Sequence, residues 1–191
     1  RLYLEFSKTY YTMGLHEISL KFNSKAMFYA RNTKSKNYLS YIYLVRSFNL
    51  SDVQKDSALF YLYKAKSISK ITSNFNSLAY HYISHNQHLD SAKIYLNKSS
   101  KIYNQTKDVN KYELSIFNYY YGRLYINEKQ YSKAVNYLEK ALLYCSYGKN
   151  RQHLMNVYDA LAFSYRKTGN LQKEKQILDE YKKFNDLYLL S

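Results

Sequence analysis

Residues 115–148 read SIFNYYYGRLYINEKQYSKAVNYLEKALLYCSYG, and this stretch decides the fold. In its second half, apolar residues recur at steps of three and four, so they share one face of an α-helix. That face consists of Tyr131, Ala134, Val135, Leu138, Ala141, Leu142 and Cys145. Tyr121, Gly122 and Tyr125 mark a helix in the first half. The stretch therefore predicts two packed helices, with small residues where their backbones approach most closely.

The same arrangement recurs in both directions along the chain. Equivalent small or polar positions of the second helix follow one another at spacings of 39, 34, 42 and 40 residues: Ser19, Ala58, Ala92, Ala134 and Glu174. Turn signals separate first from second helices at Gly14, Asn86–Gln87, Glu128–Lys129 and Gly169–Asn170. We therefore predict a single array over 1–191, with units at 1–33, 36–70, 73–106, 111–148 and 151–189.

These residues resemble the signature of the tetratricopeptide repeat (TPR) family, which has a large, a small and an aromatic residue in helix A and alanines around a large apolar residue in helix B. The resemblance implies an all-α fold, a right-handed superhelical solenoid of about five antiparallel helix pairs. Long, Tyr- and Lys-rich arrays of this style look like those of bacterial regulatory and sensor proteins. The chain begins at Arg1, so we expect it to be a piece of a longer protein.

Composition agrees with helices and narrows the possible partners. The 191 residues include no proline and 4 glycines, too few for many tight turns. The single cysteine excludes an internal disulfide framework and a cysteine-based zinc site. No apolar run is long enough to cross a membrane, so we expect no membrane insertion by this segment. The net charge of +15 favours acidic proteins, nucleic acid or anionic membranes as partners.

The resemblance also implies a ligand groove, because helix A of the TPR family lines a concave surface. The ninth position of helix A maps to Lys8, Arg46, His81, Arg123 and Phe163, and Asp159 lies nearby. We hypothesise that this basic ladder, flanked by tyrosines, binds an acidic or carboxylate-bearing protein segment. The predicted groove residues are Lys8, Tyr11, Arg46, His81, His85, Tyr119, Arg123, Asn127, Arg166 and Lys167.

The histidines at 81, 85 and 88 read H-x3-H-x2-H. His81 and His85 would lie one helical turn apart, a spacing that can hold a metal, but the glutamate of a zinc protease is missing between them. We interpret them as groove residues and predict no metal and no cofactor. The sequence also has no glycine-rich phosphate loop and no nucleophile elbow, so we predict that the chain is not an enzyme.

The leading functional hypothesis is therefore a protein- or peptide-binding module, the sensor or regulatory part of a larger bacterial regulator. Two alternatives remain open. The charge also suits a nucleic-acid-binding helical repeat protein. A self-assembling scaffold, or a homodimer through the terminal helices, would use the apolar face of the last helix: Ile177, Leu178, Tyr181, Phe184 and Tyr188. The sequence leaves the location open between the cytoplasm and the periplasmic face of the membrane.

Overall fold

The computed structural model describes residues 1–31, 35–51, 53–86, 88–145 and 150–189, with side chains through residue 186. Within this part the chain forms α-helices and no strand. The helices are α1 (Leu2–Thr12), α2 (His16–Ala30), α3 (Lys36–Leu50), α4 (Lys55–Ile68), α5 (Thr72–Ser84), α6 (Leu89–Gln105), α7 (Lys111–Asn127), α8 (Tyr131–Cys145), α9 (Arg151–Lys167) and α10 (Leu171–Leu189). Residues 33, 87 and 148, which enter the predicted unit ends and turns, lie outside the described residues, as does the Tyr188 side chain.

Consecutive helices pack as five pairs, from α1 with α2 to α9 with α10. Each odd-numbered helix also contacts the next odd-numbered helix, and each even-numbered helix contacts the odd-numbered helix that follows it. Such contacts between neighbouring repeats alone are typical of a solenoid. The prediction of an all-α array of about five helix pairs is confirmed. Among the described residues, no helix combines the length and the apolar character that crossing a bilayer requires.

A left-handed residue closes the odd-numbered helix in four of the turns. Gly14 and Gly169 both have φ of 75°, Asn86 has 50° and Lys129 has 59°. In three of these turns, the residue after this position donates its backbone N–H to a tyrosine carbonyl five residues back, for example Gln130 to Tyr125 at 2.8 Å. These shared turns fix the register between units, so Ser7, Ala79, Gly122 and Ala162 are equivalent.

Small residues at this equivalent position let the paired helices approach. A Cβ on Gly122 would lie 2.5 Å from Cγ of Leu138, which is completely buried in α8. In α3 the register follows from a serine. The Ser40 hydroxyl donates to the Ala65 carbonyl at 3.2 Å, just as Ser115 donates to Ala141 at 2.7 Å. Ser47, seven residues after Ser40, is therefore the counterpart of Gly122.

Tyrosine rings fill much of the space between helices while their hydroxyls reach polar partners. Tyr121 in α7 stacks on Tyr137 in α8 at 4.8 Å, and its hydroxyl donates to Asn97 in α6 at 2.7 Å. Burial raises the pKa of this hydroxyl. A tyrosine can therefore pack between two repeats while its hydroxyl remains hydrogen-bonded.

Candidate ligand-binding surface

Four of the odd-numbered helices line a cavity of about 500 Å³. We call it the main cavity. Its walls come from α1, α3, α5 and α7, with one tyrosine from α6. The lining residues are Lys8, Tyr11, Thr12, Tyr41, Leu44, Val45, Phe48, Ser73, Asn76, Ser77, Tyr103, Asn110, Tyr112, Glu113, Ile116 and Tyr120. Since four successive odd-numbered helices share one cavity, the face that they form is concave.

Aromatic rings make up much of the wall of the main cavity. Tyr11 of α1 stacks against Phe48 of α3 with ring centroids 6.0 Å apart. On the α7 side, Tyr120 stacks against Tyr80 of α5 at 5.1 Å, and burial raises the pKa of the Tyr120 hydroxyl. Stacking across helices holds these rings in place, so the apolar surface that they offer is formed before any ligand arrives.

Polar groups inside the main cavity are incompletely hydrogen-bonded. Asn76 is only 5% exposed; its Nδ2 donates to the Tyr103 hydroxyl at 3.1 Å, whereas its Oδ1 has no partner. The buried Ser73 hydroxyl has no partner either. Glu113 accepts a 3.4 Å hydrogen bond from the Thr72 hydroxyl. Burial raises the pKa of Tyr103 to about 12, and the Glu113 carboxylate adds to this shift.

A second cavity of about 320 Å³ lies between α7 and α9. It is lined by Tyr119, Arg123, Ile126, Asn156, Asp159, Ala160 and Phe163. Arg123 donates from Nη1 to the Tyr119 hydroxyl at 3.0 Å, which orients its guanidinium group. This second cavity offers both a cation and the exposed carboxylate of Asp159 within one repeat interface.

Solved structures with the same architecture identify the fold. BtubC (BKLC) from P. vanneervenii superimposes with a TM-score of 0.73 and 17% identity, covering 95% of this chain and 78% of that one. A structure of nearly identical TPR-like repeats of a kinesin light chain from Podosopora anserina superimposes with a TM-score of 0.65 and 16% identity, covering 100% of this chain and 97% of that one. MamA RS-1 (ArsTM double mutant) gives 0.61 and 12%, covering 98% and 94%.

The chain has a TPR-like repeat fold. No protein-family model and no curated protein matches it at a significant level. The resemblance to the TPR family is thus confirmed for the architecture.

Two predicted groove residues line each of these two cavities. Lys8 and Tyr11 line the main cavity, and Tyr119 and Arg123 line the second cavity. Arg46 was predicted to line the groove, and the structure places it elsewhere. Its guanidinium donates to the Ser24 hydroxyl of α2 at 3.1 Å and lies 5.1 Å from the Tyr61 ring of α4. It therefore packs among the even-numbered helices, away from the concave face.

The corrected register changes the character of the ladder. Phe48 replaces Arg46 at the ninth position because Ser47 is the counterpart of Gly122. Tyr80 replaces His81 because Ala79 precedes the left-handed Asn86 by seven residues. The ninth positions are therefore Lys8, Phe48, Tyr80, Arg123 and Phe163, of which three are aromatic. The expected basic ladder is a mixed aromatic and basic one.

His81 and His85 belong to the packing around the end of α5. His81 is buried, and burial, with a smaller contribution from His85, lowers its pKa to about 4. Nδ1 of His85 donates to the His81 carbonyl at 2.7 Å, and the two rings lie 4.5 Å apart. In the described part of the chain, no group of three metal-ligating side chains comes together.

The other predicted groove residues serve helix ends and helix pairs. Asn127 donates to the Ile83 carbonyl at 2.8 Å, linking α7 to the last turn of α5. Nε and Nη2 of Arg166 both lie 2.6 Å from Oε1 of Glu174 in α10. Lys167 lies over the Phe163 ring at 5.5 Å. The ten predicted residues therefore do not form one continuous surface.

A buried Ser115–His153 pair joins α7 to α9 with 2.9 Å between Oγ and Nε2. It has the atoms of a nucleophile and base, but not their proton arrangement. The Ser115 hydroxyl donates to the Ala141 carbonyl at 2.7 Å, so Nε2 of His153 must supply the proton shared with Oγ. His153 therefore cannot act as the base for Ser115, and the pair is a structural link between repeats.

Sequence reasoning missed Ser73, Asn76, Tyr103 and Glu113. One signal was available, since Asn76 lies close to the apolar residues Phe75 and Leu78 in the run NFNSLA of α5. An amide at such a position needs a partner when it is buried. The gathering of these side chains around one cavity depends on the curvature of the array, which brings α1 and α7 to opposite walls.

Proposed function

We propose that this TPR-like array is an interaction module that binds an extended segment of a partner protein in the main cavity. The observation that carries the proposal is the shared wall: α1, α3, α5 and α7 line one cavity of about 500 Å³. Pockets of roughly 300–1,000 Å³ are typical of ligand sites. Preformed aromatic walls with a few polar groups suit an anchoring side chain and its adjacent backbone.

The hypothesis of a basic groove is kept in a narrower form. Arg46 and Arg166 are engaged elsewhere, so the proposal assigns a carboxylate of the partner to Arg123 alone. Tyr119 holds this guanidinium at the second cavity, one repeat beyond the α7 wall of the main cavity. The proposal also includes a role for this array as the sensor part of a larger bacterial regulator. The resemblance of its long, Tyr- and Lys-rich repeats to those of such regulators supports this role.

A selection from a random peptide library tests the proposal. Dodecapeptides blocked at both ends would be selected on the wild-type chain, on Ile116→Trp and on Ile94→Trp. Ile116 lines the main cavity, whereas Ile94 is 53% exposed on α6 and outside it. The two variants make the same substitution, so Ile94→Trp is a matched control for a new indole ring.

Wild type and Ile94→Trp should recover the same peptides, and Ile116→Trp should lose them because the larger indole ring projects into the cavity and obstructs it. Recovery of the same peptides by Ile116→Trp would refute the proposal. Preferential capture of a random RNA pool at physiological salt, with no peptide recovered, would support the nucleic-acid alternative instead.

A further inference from the structure

We infer that the main cavity takes a cationic side chain of the partner, a lysine or arginine flanked by an apolar residue. The inference rests on the proposed function and gives the chemistry of the bound segment. It comes from three features of the cavity: the unpartnered oxygens of Asn76 and Ser73, the carboxylate of Glu113, and the surrounding tyrosine rings.

The first feature is a pair of buried side-chain oxygens, on Asn76 and Ser73, that have no hydrogen-bond partner. Asn76 is 5% exposed, its amide nitrogen is used by Tyr103, and Oδ1 has no partner. The Ser73 hydroxyl lines the same cavity and is also unpartnered. A buried polar group without a partner costs about 1–3 kcal/mol. An ammonium or guanidinium group could donate to both oxygens, whereas a carboxylate could only accept the Ser73 proton and would leave Oδ1 of Asn76 without a donor.

The second feature is the carboxylate of Glu113, which forms no ion pair with another described residue. The ion pairs among the described residues hold Glu5, Glu139 and Glu174, and none of them includes Glu113. Glu113 instead accepts one long hydrogen bond from Thr72. Its side chain is partly buried, so a ligand cation beside it would be less screened than at an open surface.

The third feature is the aromatic wall. Tyr11, Tyr41, Tyr103, Tyr112 and Tyr120 all line the cavity. The face of such a ring attracts a cation within about 6 Å of its centre, and this attraction grows when the site excludes water. The methylene groups of a lysine or arginine would pack on the same rings and on Ile116.

Lys8 is the one cation in the described lining of the main cavity, and it already forms an ion pair with Glu5. Its Nζ lies 3.2 Å from Glu5 on its own helix and 5.7 Å from the Tyr41 ring centre. An acidic ligand at Lys8 would share the ammonium group with Glu5 and would lie in the same cavity as the Glu113 carboxylate, two like charges that disfavour it. The balance of charges therefore favours a basic side chain over an acidic one.

The test uses the peptides that wild type recovers and Ile116→Trp loses. For one such peptide, fluorescence anisotropy would give the Kd of the parent and of a version with each lysine or arginine replaced by norleucine. Both would be measured on wild type, Glu113→Gln and Glu113→Asp, at about 0.15 M salt to screen surface charge. Glu17→Gln, at an exposed site on α2, is the matched control.

On wild type and Glu17→Gln, norleucine should weaken binding at least tenfold. Glu113→Gln should weaken the parent by a similar factor and should no longer distinguish the two peptides, whereas Glu113→Asp should retain the preference. Cavity-dependent peptides without lysine or arginine, or an unchanged preference in Glu113→Gln, would overturn this inference and leave the proposed function standing. If no recovered peptide depends on Ile116, the proposed function itself fails.

Discussion

Replacing Gly122 by alanine tests the packing that sets the register of the array. The added Cβ would lie 2.5 Å from Cγ and 2.6 Å from Cδ2 of Leu138. Leu138 is fully buried, so it has little space in which to yield. Overpacking of this kind costs about 1–3 kcal/mol, and the higher helix propensity of alanine recovers up to about 1 kcal/mol. We expect a net loss of about 1 kcal/mol, which lowers Tm by about 2–4 °C at this chain length.

The assay is urea denaturation followed by circular dichroism, arranged as a double-mutant cycle with Leu138→Ala. The leucine truncation alone should cost about 2–5 kcal/mol because it leaves a cavity. Part of that cavity would accept the new methyl group, so Gly122→Ala should cost less in the Leu138→Ala background, with a coupling of about 1 kcal/mol. Gly169→Ala is the control, since its φ of 75° strains alanine while nothing lies within 4 Å of the new Cβ. Additive free energies for Gly122→Ala and Leu138→Ala would refute the reasoning.

Three further predictions concern links between helices. Burial lowers the pKa of His153 to about 4, below its value in the unfolded chain, so protonation favours the unfolded chain. The free energy of unfolding should therefore fall by about 2 kcal/mol from pH 7.5 to pH 5 because of this residue. Urea melts at both pH values should show a smaller fall in His153→Gln. Arg166→Ala should cost between about 1 kcal/mol, as for an exposed ion pair, and about 3 kcal/mol, as for a buried one, because Glu174 is buried and Arg166 is not; a Tm equal to wild type would contradict this. Asn127→Ala should cost about 1 kcal/mol by removing the bond to the Ile83 carbonyl and should speed amide exchange at the end of α5.

The helix pairs could be read from the sequence because local periodicity determines them. The stripe from Tyr131 to Cys145 predicts α8, and the structure has that helix at Tyr131–Cys145. The same reasoning predicted turns at Gly14 and Gly169, where glycine adopts positive φ without steric cost.

The register of the second and third units could not be read in the same way. Ser47 precedes Ala58 by 11 residues and Ala79 precedes Ala92 by 13, whereas Gly122 precedes Ala134 by 12. The turns thus differ in length, and an error of one or two residues rotates a helix position by about 100–200°. This rotation explains why Arg46 and His81 were placed on the concave face.

The main cavity could not be predicted from the sequence for a different reason. Its walls bring together Lys8 of α1 and Glu113 of α7, which are far apart in the sequence. No local pattern reports how strongly a stack of helix pairs curves, because curvature is the sum of small rotations between repeats. The unpartnered state of Asn76 likewise follows from its neighbours in space, and residue type alone does not reveal it.

Protection of an introduced thiol tests most directly whether the partner segment occupies the main cavity. Thr12→Cys would place a thiol on an exposed position of the cavity lining, Ser67→Cys would place one on an exposed position of α4, and the native Cys145 is buried. The account predicts that a saturating recovered peptide slows alkylation by iodoacetamide about tenfold at the first site and leaves the second unchanged. Equal alkylation rates at the Thr12→Cys site with and without the peptide would contradict the claim that the concave cavity is the binding site.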